Sequence, residues 1–236
     1  MKKIFIILIL LYCTELKGES NLTIYNLRIN HFKKPFGMDV KGNVFSFLSD
    51  EKGPFKASLL LDGKVVESKE VSLNQSYSFS FNEPFKYNKI YKYIVESSLC
   101  KSELEFETTI KLEAPFIKPK NKDIFCPIFF KDFKLTKEIK RARLYITGLG
   151  LYQAYINDKK VGNAYLTPGF NDYDYYLRYQ TYNITELLKE ENHLEIHMGE
   201  GWFKGSFHAH LNTFGDEYKL CLHLLIENKD GSIINL

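Results

Sequence analysis

Tyr77-Ser78-Phe79-Ser80-Phe81 places three aromatic rings on one side of an extended chain and two serines on the other. That period of two suits a half-buried strand and is incompatible with a helix face. Comparable short runs recur upstream and downstream, at Val44 to Leu48, Ala57 to Leu61, Val65 to Val71, Tyr91 to Val95 and Leu104 to Ile110. Turn residues punctuate them. Asp62-Gly63 lies between two of the runs and tolerates the positive φ angles that a two-residue hairpin demands. Aromatic residues make up 15% of the chain, with 19 Phe and 16 Tyr, a composition that favours pleated surfaces over a helical bundle. The spacing predicts an all-β first half, an immunoglobulin-like or fibronectin-type sandwich over residues 21–114.

Lys111 to Asp123 reads KLEAPFIKPKNKD, with Pro115, Pro119 and four lysines, and serves as a linker or a crossing strand. The boundary is placed at residue 114. Beyond it, β patterning resumes at Ile124 to Leu135, Ala142 to Ile146, Leu151 to Ile156, His193 to Met198 and Lys219 to Glu227. Asn157-Asp158 is expected to turn a hairpin. Asn183 with Glu186 three residues on is expected to cap a single helical turn through Leu188. Residues 115–236 thus form a second β unit.

Lys2 and Lys3 precede an apolar run from Ile4 to Leu11, followed by a polar stretch to Ser20. This pattern predicts a signal peptide over residues 1–20 and a secreted or periplasmic protein. Gly18 and Ser20 offer a small-x-small cleavage site. Cys13 offers lipidation instead, although Tyr12 before it is larger than that reaction favours. No later segment approaches the roughly 20 apolar residues of a membrane span. Cys100, Cys126 and Cys221 are widely spaced and odd in number, which predicts neither a disulfide framework nor a zinc site but three buried small hydrophobes.

A net charge of +3, with basic and acidic residues spread along the chain, gives no electrostatic footprint for nucleic acid. His193 and His197 are separated by Leu194, Glu195 and Ile196 and so lack the metalloprotease pattern, which places glutamate directly after the first histidine. On a strand, His193, Glu195 and His197 share one solvated face without converging on a metal. His208 and His210 receive the same reading. Gly199-Glu200-Gly201-Trp202, followed by Gly205, lacks the residues of a phosphate loop and reads as a sharp strand exit. Trp202, the chain's only tryptophan, packs against a neighbouring surface or serves as a stacking platform for a sugar ring. Asn171, Asp172 and Tyr173, after Pro168-Gly169, offer hydrogen bonds to hydroxyl groups. Oxygen ligation of calcium by the same loop is the one cofactor to consider, and its spacing is not that of an EF-hand. No Ser-His-Asp arrangement and no assignable carboxylate pair is present.

The segment Arg141 to Gly205 resembles the amino-terminal β domain of bacterial α-L-rhamnosidases. Ala142-Arg143-Leu144-Tyr145-Ile146, Gly150-Leu151-Tyr152 and Tyr155-Ile156-Asn157 look like that family's first hairpin. Val161-Gly162, Pro168-Gly169, Tyr179-Gln180-Thr181-Tyr182, Ile184-Thr185, Leu187-Leu188 and the Gly199 to Gly205 turn follow in order. Val44 to Leu61 resembles the fibronectin-like module that often precedes the domain. Phe170 and Asn171 stand where the family commonly carries Trp and Thr, and Asp158 replaces a turn glycine. The resemblance implies a galactose-binding-like jelly roll behind a sandwich, incomplete because the sequence stops in a strand candidate. It also implies a secreted glycoside hydrolase acting on rhamnose-containing glycans or glycosides, with catalysis by carboxylates of a later (α/α) barrel. No catalytic residue is carried over. The expected roles are a non-catalytic portion working with a separate catalytic chain or, alternatively, a free-standing carbohydrate-binding or adhesion module. The sugar contacts expected are Trp202, Asn171, Asp172 and Tyr173.

Overall fold

The structure is a computed structural model, and it describes residues 24–33, 35–72, 78–206, 210 and 212–236. The expected signal peptide, Cys13, Tyr77 and His208 lie outside the described residues. The chain divides into two compact units, Met1–Ile110 and Lys111–Leu236.

The first unit is all β. Strands β1 (Ile24–Ile29), β2 (Phe45–Ser49) and β5 (Ser78–Phe79) make one sheet in the order β1-β2-β5. Strands β3 (Phe55–Leu61), β4 (Lys64–Val71), β6 (Ile90–Glu96) and β7 (Lys101–Glu107) make the other, in the order β4-β3-β6-β7, with every pair antiparallel. Asp62 and Gly63 both take positive φ, 50° and 75°, and Leu61 pairs with Lys64 across them. Alternate residues of β2 and β6 turn inward, so Phe45, Phe47, Tyr91, Tyr93 and Val95 are buried between the sheets.

The second unit stacks two four-stranded sheets. One has the order β11-β10-β13-β8, from β8 (Ile128–Lys134), β10 (Leu151–Ile156), β11 (Lys159–Lys160) and β13 (Glu191–Gly199). The other has the order β12-β9-β14-β15, from β9 (Ile139–Leu149), β12 (Gln180–Asn183), β14 (Lys219–Asn228) and β15 (Ile233–Asn235). Consecutive strands repeatedly change sheet, as in a jelly roll. Leu144, Ile146, Ala154, Ile156, Leu194, Ile196, Leu224 and Ile226 interdigitate in one apolar core. The chain is therefore an all-β protein of two sandwiches.

Several local expectations needed correction. Strand β1 has no alternation to reveal it, because Asn26 at φ 53° shifts the register between Tyr25 and Arg28 and the buried positions become Ile24, Leu27 and Ile29. The helical turn is a 3-10 turn over Thr185–Leu187 with Ile184 at its start and no side-chain cap. Asn183 instead accepts hydrogen bonds at Oδ1 from the Thr185 hydroxyl (2.7 Å) and amide (3.2 Å). Of the three cysteines only Cys221 is buried. Cys100 is half-buried, and Cys126, at φ 52°, is exposed in the loop before β8.

Candidate functional site

One end of the second unit carries a loop on each side of an aromatic cluster. The first loop leaves the sandwich at Thr167, whose carbonyl accepts the Tyr152 amide (2.7 Å) and whose hydroxyl donates to the Tyr152 carbonyl (2.5 Å). Gly169, at φ 84°, closes the turn by donating its amide to the Leu166 carbonyl. Asn171 is fully buried: its Oδ1 accepts the Arg178 amide (2.9 Å) and its Nδ2 donates to the Gly169 carbonyl (3.3 Å). The Asp172 carbonyl accepts the amides of both Tyr175 and Tyr176, leaving the Asp172 side chain exposed. Asn171 thus binds the loop to itself, and the carboxylate beside it is the group turned toward solvent.

The second loop begins where β13 ends. Gly201 has φ 54°, and a Cβ there would come within 2.5 Å of Leu151 Cγ, so glycine is required on both counts. The chain then makes one turn of helix, α1 (Gly201–Lys204), closed by the Gly205 amide on the Gly201 carbonyl (3.1 Å). This is the sharp strand exit read from the glycines. It sends Phe203 inward and leaves Trp202 half-buried. Phe203 packs on Gly215, where a Cβ would lie 2.4 Å from its ring.

Phe170, Tyr173, Trp202, Phe203 and Phe214 meet between these loops. Tyr173 packs against Phe203 and Phe214, with ring centroids 5.1 and 4.8 Å away. Phe170 meets Tyr173 at 6.0 Å, Phe214 at 6.2 Å and Trp202 at 6.3 Å, the last exactly edge to face at 90°. Phe170 keeps 48% of its surface exposed. Burial pushes the Tyr173 phenol above its ordinary pKa, so it remains a neutral donor. The structure therefore brings Trp202, Asp172 and Tyr173 to one end of the sandwich and assigns Asn171 to the loop's interior. Phe170, Phe203 and Phe214 were not singled out as site residues from sequence. An apolar ring directly after Pro168-Gly169 was the available signal for Phe170, as was a ring before Gly215 for Phe214.

The histidine face forms as expected on β13. His193 Nδ1 lies 2.5 Å from Asp132, His193 Nε2 lies 2.9 Å from Glu195, and His197 Nε2 lies 3.0 Å from the other Glu195 oxygen. Hydrogen bonds to Asp132 first and Glu195 second raise the His193 pKa, while those from His197 and His193 lower that of Glu195. Among the described residues no group of three or more His, Cys, Asp or Glu side chains is placed to hold a metal ion. No helix among them is long and apolar enough to cross a membrane.

Residues 137–235 match the family model of the α-L-rhamnosidase N-terminal domain. An α-L-rhamnosidase of Streptomyces avermitilis is 38% identical over 106 residues, which are 43% of this chain and 10% of that protein. The fold agrees with solved enzymes. The α-L-rhamnosidase from Dictyoglumus thermophilum superposes with a TM-score of 0.75 at 23% identity, covering 91% of this chain and 28% of that one. The Streptomyces avermitilis α-L-rhamnosidase complexed with L-rhamnose gives a TM-score of 0.70 at 14% identity, over 91% of this chain and 40% of that one. The chain spans about a tenth of the length of the curated relative it matches. Residues 137–235 are thus similar to the N-terminal domain of α-L-rhamnosidases.

Proposed function

We propose that this chain is the non-catalytic, carbohydrate-recognising β portion of a secreted α-L-rhamnosidase-like glycoside hydrolase, and that the aromatic end of its second unit contacts a rhamnose-containing glycan. The half-open ring cluster carries the proposal. Phe170 and Trp202 offer apolar surface for the C–H face of a sugar, a stacking role that each supplies without a charge of its own. Asp172 beside them accepts hydrogen bonds from ring hydroxyls, and the Tyr173 phenol donates or accepts one. Asn171 contributes by holding the loop that presents them.

Catalysis belongs elsewhere in this reading. Among the described residues the helical segments are one 3-10 turn and one four-residue turn, so they supply no helical barrel. The chain's role is to hold substrate or to support a barrel on other polypeptide. Export rests on Lys2, Lys3 and the apolar run that follows them.

Because Trp202 is the only tryptophan, its emission reports on this site alone. Titration with L-rhamnose into the millimolar range is expected to change that emission saturably, with D-glucose much weaker. A flat response to L-rhamnose over the same range removes the sugar-binding role.

A further inference from the structure

The turn that carries Tyr173 has a second side. The Asp172 carbonyl accepts the Tyr176 amide at 2.9 Å, four residues along the chain. A bond of that span closes one helix-like turn and sets residues i and i+4 side by side. Tyr173 is directed from this turn into the ring cluster, where it packs on Phe203 and Phe214. Asp172 and Tyr176 stand together outside that packing, both exposed, with 49% of the Tyr176 surface open. Asp172, next to Tyr173 in the chain, therefore also neighbours a second open ring.

Tyr176 is braced in place. Arg178 Nη2 donates to the Tyr176 hydroxyl at 3.3 Å, and the guanidinium carbon lies 5.6 Å from the ring centroid. The Arg178 backbone is itself tied at both groups: its amide donates to Asn171 Oδ1 (2.9 Å) and its carbonyl accepts the Thr147 hydroxyl (2.6 Å). Asn171 and Thr147 are buried, so the brace is rooted in the interior of the unit. An exposed ring held in this way gives up little freedom when a ligand lies on it, which is the gain from preorganisation. Arg178 uses one of its five N–H donors on Tyr176, and no carboxylate meets it among the described residues. Donors are thus left beside the ring for hydroxyl oxygens.

We propose that Tyr176 is a second stacking platform, with Asp172 and Arg178 as its acceptor and donor, so that this end of the unit takes a glycan of at least two sugar rings and not rhamnose alone. A flat ring with a carboxylate and a guanidinium at its rim matches a ligand ring that is apolar on its face and hydroxylated at its edge, which is a pyranose. The inference rests on the sugar-binding reading of the Phe170 and Trp202 cluster, and one set of titrations separates the two. Trp202 emission of the full chain is followed against L-rhamnose and against α-L-rhamnosyl-D-glucose disaccharides, one for each linkage. At least one disaccharide should bind about fivefold more tightly than L-rhamnose, the gain of one added ring stack. Tyr176→Ala, at a half-exposed position, should return that disaccharide to the L-rhamnose affinity and leave L-rhamnose itself unchanged. Tyr176→Leu, which keeps bulk without the aromatic face, should do the same where the alanine variant fails to fold. A saturable response to L-rhamnose with no disaccharide tighter than it overturns the second platform and leaves the first standing. Equal weakening of both ligands in a variant with the parent urea midpoint overturns it too. No response to any of these sugars removes the sugar-binding reading and the second platform with it.

Discussion

Both units gather aromatic rings, and they use them in opposite ways. In the first, Phe45 is completely buried and meets Phe79, Phe81, Phe85, Tyr93 and Phe106 with centroids 4.9 to 6.1 Å apart. Several of those rings sit on strands whose alternation turns them inward, so the cluster is the core itself. In the second unit the core is built largely from Leu and Ile, with Tyr152 and Tyr218 among them, and a separate group of rings clusters on loops at one end. There Phe203 is buried while Phe170 and Trp202 keep open surface. In the proposed reading the same side chains serve cohesion when strands carry them and recognition when loops do.

Substitutions sharpen that contrast in order of size. Phe45→Ala should cost about 3 to 5 kcal/mol in urea unfolding of the first unit, since it removes the ring on which five others pack. Asn171→Ala should destabilise the second unit by about 1 to 3 kcal/mol, because the part-buried Arg178 amide loses its acceptor and a fully buried side chain is removed. Phe170→Ala should leave stability within about 1 kcal/mol, as expected of a half-exposed residue, while abolishing the L-rhamnose response. Equal losses of stability from Phe45→Ala and Phe170→Ala would erase the distinction between core and platform.

The smallest effect concerns the histidine face. The raised His193 pKa means that the folded state holds that proton more tightly than the unfolded chain. Its stabilisation is complete below the ordinary histidine value of about 6.5 and is lost as pH rises through the raised one. His193→Gln should therefore lower the urea midpoint slightly at about pH 5 and leave it unchanged at about pH 9. A larger difference at the higher pH would reverse the sign assigned to the Asp132–His193–Glu195 contact.

Much of the fold was legible where one physical signal dominated. Leu151–Ile156 forms the strand that its alternation predicts, and Asn157 and Asp158 make the turn, with φ of 50° and 65°. The glycines around Trp202 announced a sharp exit because Gly201 meets both a positive φ and the Leu151 side chain. Other features depend on contacts distant in sequence. The bulge at Asn26 hides β1 from a period-two reading. Asn171 resembles a ligand residue in sequence, yet it is claimed by the backbone of Gly169 and Arg178. Phe170 was legible as a ring directly after Pro168-Gly169 and as a departure from the tryptophan common in the family the segment resembles. Its role as the ring joining Tyr173, Trp202 and Phe214 needed both loops in place.

The central claim is that sugar contact resides in the loop-borne rings, and chemical-shift mapping of the full, isotope-labelled chain with L-rhamnose locates that contact residue by residue. The account predicts perturbations concentrated at residues 169–176, 201–204 and 213–215. Perturbations centred instead on the His193–Glu195–His197 face, or in the first unit, would contradict it.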